Sequence, residues 1–370
     1  MFLVLLSVAA AELVFVAEVS RHGARSPTKL YDFNKEHWDE NMLGELTSVG
    51  MRQHFLIGKE LSSRYVKQLG LLSESLDSTQ IYARSTDYNR TLQSAYSQLS
   101  GLYPPKTGPK IPQRSYFLPP MKVSSFNEYD EELAGAAIID LIQPVPIHSA
   151  KSKNDHLLHG YDKDACPRIA QIEESLRNSV NFTNKEQQWT SFFKQVKDTL
   201  KVKEEVNIDV ASNIETAITC GMYDGLAIPE GVTEEMYVEL CKVHGFKKFF
   251  LPFSDSEAQK LSCSEFFKET SWRMQDAQAG KGVKFAYYSA HDTTLAAFLT
   301  CLSVTQSLNP PFASTLVFQL DSDNTVEVLY NDQPMKLPGC SSAKCSFSEF
   351  NGILKGYFLE DIQTACQLKN

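Results

Sequence analysis

The order of apolar segments at the start of the chain places the strongest constraint on its fold. Leu13–Val19 is a run of apolar and β-branched residues that predicts a buried strand, and Gln80–Ala83 predicts a second, shorter one. Thr47–Leu69 and Asp87–Leu102 carry the spacing of apolar residues that is typical of helices. A strand–helix–strand–helix order favours an α/β fold with parallel strands.

The rest of the chain predicts a core interrupted by an insertion. Helical patterns dominate residues 129–274 and begin with Glu131–Ile142. Strand patterns return near the end, at 283–288, 314–320 and 325–330. We therefore predict an α/β core of residues 12–128 and 275–370, with an open, mostly parallel sheet flanked by helices. Residues 129–274 are expected to form a smaller, mainly helical cap inserted in that core.

The first eleven residues, 1–11, read as a short secretory signal. They are uncharged and apolar, and they end in Ala9 and Ala11, which have the spacing of a signal-peptidase site. The alternative is that they begin the first buried strand. Because no later stretch approaches the roughly 18 apolar residues of a membrane helix, the sequence predicts no membrane span.

The cysteines and two glycosylation sequons are consistent with an oxidising, secretory route. The eight cysteines include no Cys-x-x-Cys pair, so disulfides are a more natural use for them than a zinc or redox site. Spacing does not reveal their pairing, although Cys340 and Cys345 bracket a short loop and look like a local pair. Asn89 and Asn181 begin Asn-x-Thr sequons, of which Asn181 is the favoured glycosylation site. The expected location is secreted, or the lumen of a lysosome or vacuole.

The charge balance argues against a nucleic-acid partner. The chain has 36 Lys and Arg against 45 Asp and Glu, a net charge of −9 at neutral pH. A surface field of this sign repels polyanions. A small anionic substrate remains compatible with it, provided that positive side chains gather in one place.

Three polar clusters follow predicted strands. Their sequences are Arg-His-Gly-Ala-Arg-Ser-Pro at 21–27, Arg-Ser-Thr-Asp at 84–87 and His-Asp-Thr-Thr at 291–294. In an open α/β sheet, ligands bind outside the carboxyl ends of the strands, so the three clusters are expected to converge.

The converged residue types are suited to phosphate chemistry. Arg21, Arg25 and Arg84 would supply planar, permanently charged groups that match phosphate oxygens. His22 is the candidate nucleophile, because neighbouring cations should lower the pKa of its imidazole and keep it neutral. Asp292 is the candidate proton donor, a role that requires it to hold its proton and so predicts an acidic pH optimum. Taken singly, each arginine could be a surface group and Asp292 a helix cap.

Four segments carry a resemblance to a known family. They are RHGARSP at 21–27, RSTDYNRT at 84–91, QPVPIH at 143–148 and SAHDTT at 289–294. In this order they closely resemble the signature segments of the histidine acid phosphatases, a family that includes prostatic, lysosomal and phytase-type enzymes. The resemblance implies a phosphoglycerate-mutase-like α/β core with a helical cap.

The same resemblance implies roles for individual residues. His22 would form a covalent phosphohistidine and Asp292 would protonate the leaving group, with no metal and no cofactor. The residues implied to hold the phosphate are Arg21, Arg25, Arg84 and His291. The family's disulfides imply Cys166–Cys366 and Cys340–Cys345, whereas Cys220–Cys301 is only a guess. Relatives are often dimers, so a homodimer is one expected assembly.

The leading functional hypothesis is an acid phosphatase that hydrolyses phosphate monoesters, including phosphopeptides. The alternative within the same chemistry is a phytase-type inositol-polyphosphate phosphatase. A hypothesis from another class is a secreted phosphate-ligand binding protein without catalysis. The presence of both His22 and Asp292 argues against that last hypothesis.

Overall fold

A central β-sheet forms the framework of the protein in the computed structural model, which describes residues 11–112, 117–304 and 309–369. The strands in these ranges are β1 (Leu13–Arg21), β2 (Ile81–Thr86), β3 (His148–Ala150), β4 (Phe285–Ala290), β5 (Thr315–Asp321), β6 (Thr325–Tyr330), β7 (Gln333–Pro334) and β8 (Lys344–Ser346). They lie in the order β3-β2-β4-β1-β5-β6-β7, with β8 paired to β6.

One half of this sheet is parallel. β3, β2, β4 and β1 pair in parallel, with Val16 of β1 opposite Phe285 of β4. β5 then pairs with β1 in the antiparallel sense, and β5 and β6, which form at two of the predicted strand segments, pair as an antiparallel hairpin. The predicted α/β fold class is therefore confirmed, with an antiparallel extension at one side.

Helices cover both faces of the sheet. In the described residues they are α1 (Ser48–Leu61), α2 (Asn89–Leu102), α3 (Phe126–Leu133), α4 (Pro167–Arg177), α5 (Val180–Gln188), α6 (Thr190–Leu200), α7 (Ile208–Tyr223), α8 (Glu234–Gly245), α9 (Ser256–Gln278), α10 (Asp292–Cys301), α11 (Phe347–Lys355) and α12 (Ile362–Ala365). The Thr47 side chain caps α1 by accepting a hydrogen bond from the Gly50 amide.

The alternation of side chains along β1 divides the core into two apolar layers. Val16 packs in a buried cluster with residues of α1 and α2, including Leu99. Its neighbour Ala17 lies on the opposite face, in the cluster that contains Phe266 of α9 and Phe298 of α10. All six residues of β4 are buried, as expected for a strand covered by helices on both sides.

The segment expected to form the cap contributes to the core as well. His148–Ala150 within it is a strand paired to β2, and Phe266 of α9 packs against the sheet. The helix expected at Glu131–Ile142 ends at Leu133, because Ala134 adopts a left-handed conformation with φ of 47°. A separate apolar cluster joins α5, α6, α7 and α8. We propose that the cap is the narrower segment 180–251.

Three disulfides lie in the described part of the chain. Cys166 is bonded to Cys366 and Cys340 to Cys345, the two pairings that the family resemblance implied. The suggested Cys220–Cys301 pairing is wrong, because Cys301 at the end of α10 is bonded to Cys263 of the adjacent helix α9. Cys220 is instead a buried free thiol on α7.

Most of the predicted signal at 1–11 falls outside the described residues. Within the ranges that are described, no helix combines the length and the apolar character needed to cross a membrane.

Candidate active site

The predicted polar clusters meet at the carboxyl edge of the parallel half of the sheet. Arg21 is the last residue of β1, Thr86 of β2 and Ala290 of β4. The His22 amide donates a hydrogen bond to the Ala290 carbonyl over 3.0 Å, which joins the ends of two of these strands. His22 and His291 thereby come within 5.6 Å, measured between ring centroids.

His22 is buried and oriented by its own loop. Its side chain is 2% exposed, and its Nδ1 lies 2.8 Å from the Gly23 carbonyl oxygen. Because a carbonyl only accepts, Nδ1 carries the proton and Nε2 keeps a free lone pair. Burial and the cations of Arg90, Arg21 and Arg25 hold the pKa of His22 well below its usual range. The imidazole is therefore neutral, as a nucleophile requires.

Two helices hold the loop that carries His22. The Gly23 amide donates to Ser94 Oγ of α2 over 3.1 Å, and the Ala24 amide donates to Gln53 Oε1 of α1 over 2.8 Å. The loop and α1 are in such close contact that a Cβ on Gly23 would lie 2.4 Å from the Gly50 carbonyl oxygen. Glycine at both positions is what allows this approach.

The Arg21 side chain is held beside His22 by three contacts. Its Nη2 lies 3.0 Å from Asp292 Oδ2, its Nη1 donates to the Pro310 carbonyl, and its guanidinium carbon lies 4.1 Å from the centre of the Phe312 ring. The side chain is 4% exposed. These contacts fix the guanidinium beside His22, as the sequence predicted.

Arg25 reaches the same region from the following turn. Its Nη1 donates to the Ser26 carbonyl over 2.8 Å and lies 3.7 Å from Cys220 Sγ. The Nε atoms of Arg21, Arg25 and Arg90 are buried and have no hydrogen-bond partner among the described residues, and the same holds for Arg84 Nε. Arg21, Arg25 and Arg90 retain donors for an anionic ligand.

Arg84 is bound to a different partner. Its Nη2 donates to Asp155 Oδ1 over 2.6 Å, and Asp155 is fully buried. Arg84 lies two residues before the end of β2, about 7 Å from the strand's carboxyl end at 3.3 Å per residue. We propose that this ion pair, rather than the predicted phosphate contact, is the role of Arg84.

We propose that Arg90, which the sequence reasoning did not select, is the third phosphate-binding arginine. It lies in the first turn of α2, just beyond the end of β2, and its Nη2 is 3.5 Å from His291 Nδ1. The Tyr88 ring packs 4.6 Å from the guanidinium carbon. Burial and the nearby Arg25 cation both lower the pKa of Arg90, which shows how closely the positive groups are gathered. The signal that could have found it is its place in a helix turn directly after the strand.

His291 is held by a hydroxyl relay from β2. Thr91 Oγ1 donates to backbone carbonyls, Thr86 Oγ1 lies 2.8 Å from it, and His291 Nε2 lies 3.0 Å from Thr86 Oγ1. Because the Thr91 hydroxyl proton is used on the backbone carbonyls, the Thr86 hydroxyl donates to Thr91 Oγ1. Thr86 Oγ1 is then free to accept the Nε2 proton of His291. Burial and Arg90 hold the pKa of His291 well below its usual range.

Asp292 begins α10 and is ionised in the free site. Burial alone would raise its pKa, but the Arg21 guanidinium 3.0 Å away and the Lys248 cation outweigh burial, so the pKa lies well below its usual range. Thr293 donates from its backbone and its hydroxyl to Asp292 Oδ1. The sequence-based requirement for a protonated Asp292 is not met before a ligand binds.

His159 is a further residue of this site that sequence reasoning did not select. Its ring centroid is 4.9 Å from that of His291, and it stacks on Tyr88 and Tyr161. Both ring nitrogens are buried and have no hydrogen-bond partner among the described residues. In the sequence it stands near Asp155 and His156 in the cap, a set that makes only a weak case for a metal site.

The two sequons differ in their surroundings. Asn181 is exposed on α5. Asn89 is also exposed, but its Nδ2 donates to Glu45 Oε1 over 3.2 Å, and it directly precedes Arg90. A glycan on Asn89 would therefore stand at the rim of the site, and glycosylation of either residue stays a prediction.

Comparison with known proteins agrees with this geometry. The model of the histidine phosphatase superfamily (branch 2) matches residues 12–331. Lysosomal acid phosphatase from Xenopus laevis is 31% identical over 372 residues, which cover 96% of this chain and 79% of that protein. Prostatic acid phosphatase from Rattus norvegicus is 28% identical over 385 residues, covering 99% of this chain and 93% of that protein.

Solved structures show the same fold. The phytase from Citrobacter braakii matches with a TM-score of 0.66 and 18% identity, covering 97% of this chain and 100% of that chain. The buried histidine, the gathered guanidinium groups and the full-length sequence matches lead to one conclusion: the chain belongs to branch 2 of the histidine phosphatase superfamily.

Proposed function

We propose that this protein is an acid phosphatase that hydrolyses phosphate monoesters through a phosphohistidine on His22. The observation that carries the proposal is the neutral imidazole of His22, with Nδ1 bonded to the Gly23 carbonyl and Nε2 free, among three partly unpaired guanidinium groups. Relatives named lysosomal and prostatic acid phosphatases, which match over 96–99% of this chain, support it.

In the first step, Arg21, Arg25 and Arg90 bind the oxygens of the phosphoryl group, and His22 Nε2 attacks the phosphorus. The N–P bond forms as the ester P–O bond breaks, and charge on the equatorial oxygens is stabilised by the guanidinium groups. The departing alkoxide takes a proton from Asp292. The products of this step are an alcohol and a phosphohistidine.

Substrate binding favours uptake from solvent of the proton that Asp292 lacks in the free site. A bound phosphoryl dianion competes with Asp292 for Arg21, 3.0 Å away, and adds negative charge beside the carboxylate. Both effects raise the pKa of Asp292 and favour uptake of a proton at acidic pH. In the second step, water attacks the phosphorus, Asp292 takes a proton from it, and the N–P bond breaks to release inorganic phosphate.

The phytase-type alternative has less support. The phytase structures share 17–19% identity with this chain among the first five matches, which shows a common fold. The acid phosphatase relatives are 26–31% identical to this chain over nearly its whole length. A comparison of kcat/KM for an aryl phosphate, a phosphopeptide and phytate separates the two substrate classes.

We also propose that the protein is secreted or lysosomal. The relatives' names include lysosomal and prostatic enzymes, and the described residues contain three disulfides, which persist in oxidising surroundings. Fractionation of the cells that express the protein, together with non-reducing mass mapping of the three disulfides, tests this.

The decisive experiment for the activity uses two histidine variants. His22→Ala should abolish turnover of an aryl phosphate, whereas His148→Ala should retain it, because His148 is exposed on β3. A chelator should leave the wild-type rate unchanged. Equal activity of His22→Ala and wild type would refute the proposal, and phosphate binding without any turnover would favour a non-catalytic binding protein.

A further inference from the structure

A chain of buried polar side chains connects the middle of β1 to the loop that carries His22. Gln98 Nε2 of α2 lies 2.8 Å from Glu18 Oε1, and Gln98 Oε1 lies 2.9 Å from His54 Nδ1. His54 Nε2 of α1 lies 3.0 Å from the carbonyl oxygen of Arg21, the residue before His22. Glu18 and His54 are fully buried, and Gln98 is 1% exposed.

The carbonyl at the end of this chain determines where the protons lie. Because the Arg21 carbonyl only accepts, His54 Nε2 must carry a proton. A neutral His54 then has a lone pair on Nδ1, which requires the Gln98 amide to turn its NH₂ group towards His54. The Gln98 oxygen then faces Glu18, which must donate to it as a protonated carboxylic acid.

The other amide orientation has a different proton arrangement. With the Gln98 oxygen towards His54 and its NH₂ towards Glu18, the orientation for which the distances above are given, His54 must be an imidazolium and Glu18 a carboxylate. The orientation with the two amide atoms exchanged occupies the same positions. Burial opposes this charged pair: it lowers the pKa of His54 to about 4 and raises that of Glu18 to about 7. The neutral arrangement is therefore favoured at acidic pH.

The other charged groups that face Glu18 have little net effect on its protonation. The charged or titratable side chains that face it from neighbouring elements are Glu60, Arg64, Tyr65, Tyr287 and Asp332. Arg64 and Asp332 form an ion pair of 2.8 Å, so their opposite effects on Glu18 offset each other. Burial holds the pKa of both tyrosines above its usual value, so they stay neutral.

Glu18 also has a route by which to exchange its proton. A cavity of about 260 Å³ is lined by Glu18 and by the Glu60 and Asp332 side chains, which are 60% and 59% exposed. Glu18 Oε2 is buried and has no hydrogen-bond partner among the described residues. Water in this cavity can therefore take up and return the carboxyl proton.

We propose that Glu18 is a positioning residue: its carboxyl proton, acting through the Gln98 amide, keeps the Nε2 proton of His54 on the Arg21 carbonyl and so holds the loop that carries His22. The proposal rests on the phosphatase function proposed above, since it assigns a role in that reaction.

Loss of the Glu18 proton breaks the chain in a defined way. A Glu18 carboxylate attracts the NH₂ group of Gln98, which leaves the Gln98 oxygen facing His54 Nδ1. Neutral His54 must then move its proton from Nε2 to Nδ1, and the hydrogen bond to the Arg21 carbonyl is lost. The nucleophile loop is thus held at acidic pH and loses one of its attachments as pH rises.

The kinetic test compares Glu18→Gln with Glu60→Gln. The amide of Glu18→Gln can donate a hydrogen bond at every pH, so kcat relative to wild type should be near one at about pH 5 and should rise as Glu18 of the wild type ionises. One pH unit above the pKa of Glu18, where about nine-tenths of it is ionised, the ratio has an upper limit of about tenfold, which is reached when the ionised form does not turn over. KM should change little, because the phosphate-binding groups are untouched. Glu60→Gln lines the same cavity without joining the chain and should follow wild type. A pH-independent ratio for Glu18→Gln would overturn the proposal.

Nuclear magnetic resonance of ¹⁵N-labelled histidine tests the chain without reference to activity. The His54 signals, assigned with His54→Gln, should change from the Nε2–H to the Nδ1–H tautomer as pH rises through about 7. In Glu18→Gln they should keep the Nε2–H form. An unchanged tautomer in wild type would refute the role of Glu18 even if phosphatase activity is present. A wild-type protein without turnover would refute the proposed function, and these spectra would still decide whether the chain exists.

Discussion

Replacement of Arg90 should separate phosphate binding from the stability of the fold. The Arg90 guanidinium lies 3.5 Å from His291 and has an unpaired, buried Nε. Hydrogen bonds to charged groups contribute about 1.5–3 kcal/mol, and each 1.36 kcal/mol is a factor of ten in rate. We therefore expect Arg90→Met to lower kcat/KM for an aryl phosphate by about 10- to 150-fold, corresponding to about 1.5–3 kcal/mol.

The same substitution should leave the folded state intact. Arg90 lies close to the Arg25 cation, which lowers its pKa, so its removal relieves repulsion in the free protein. The loss of one cation should also raise the pKa of His22, because Arg90 is the largest charge effect that lowers it. The acid limb of the pH–rate profile should therefore move to higher pH.

Arg84→Met is the matched control and should show the opposite pattern. It leaves Asp155, which is fully buried, without its 2.6 Å partner. Breaking a buried ion pair in this way costs about 3–5 kcal/mol, with the lower end expected because Arg84 is partly exposed. Steady-state kinetics and thermal unfolding of both variants are the assays. An equal loss of kcat/KM in folded Arg84→Met would refute the assignment of the third phosphate-binding arginine.

Three further predictions concern the nucleophile loop and the protons of the site. Gly50→Ala would place a Cβ 2.2 Å from the Ala24 carbonyl oxygen, so kcat should fall and the free energy of unfolding should decrease by about 2 kcal/mol. Gly352→Ala, which has open space around it, is the control and should behave as wild type in the same assays. Because the pKa of His22 lies well below 6.5, kcat/KM should persist as pH falls through 6.5; a midpoint of loss at 6.5 would contradict the neutral nucleophile. Binding of inorganic phosphate should take up protons as the pKa of Asp292 rises, so the calorimetric enthalpy should depend on the ionisation enthalpy of the buffer; a buffer-independent enthalpy would contradict it.

The fold class and the meeting of the polar clusters could be predicted because both follow from local patterns. The apolar run that ends in Arg21 forms β1, and parallel strands bring their carboxyl ends to one edge. This rule placed His22 and Asp292 together although they are far apart in sequence. The boundaries of the cap were less predictable, because β3 has only three residues and α9 packs its apolar residues on the sheet.

The choice between two arginines could not be made from the strand pattern alone. Arg84 and Arg90 belong to the same motif, but one lies inside β2 and the other in the first turn of α2. Their roles depend on depth along the strand and on a partner, Asp155, that comes from a distant segment. The pairing of Cys301 with Cys263 is likewise a consequence of the packing of α9 against α10, which sequence spacing does not contain.

The central claim is that phosphate is transferred to His22. Wild-type protein should be mixed with an aryl phosphate, quenched in alkali during turnover and analysed by peptide mass spectrometry, because the N–P bond of phosphohistidine survives alkali but not acid. We expect phosphate on the peptide that contains His22, and its absence in His22→Ala. Sustained turnover with no phosphate on His22, or with phosphate on another residue, would contradict the account.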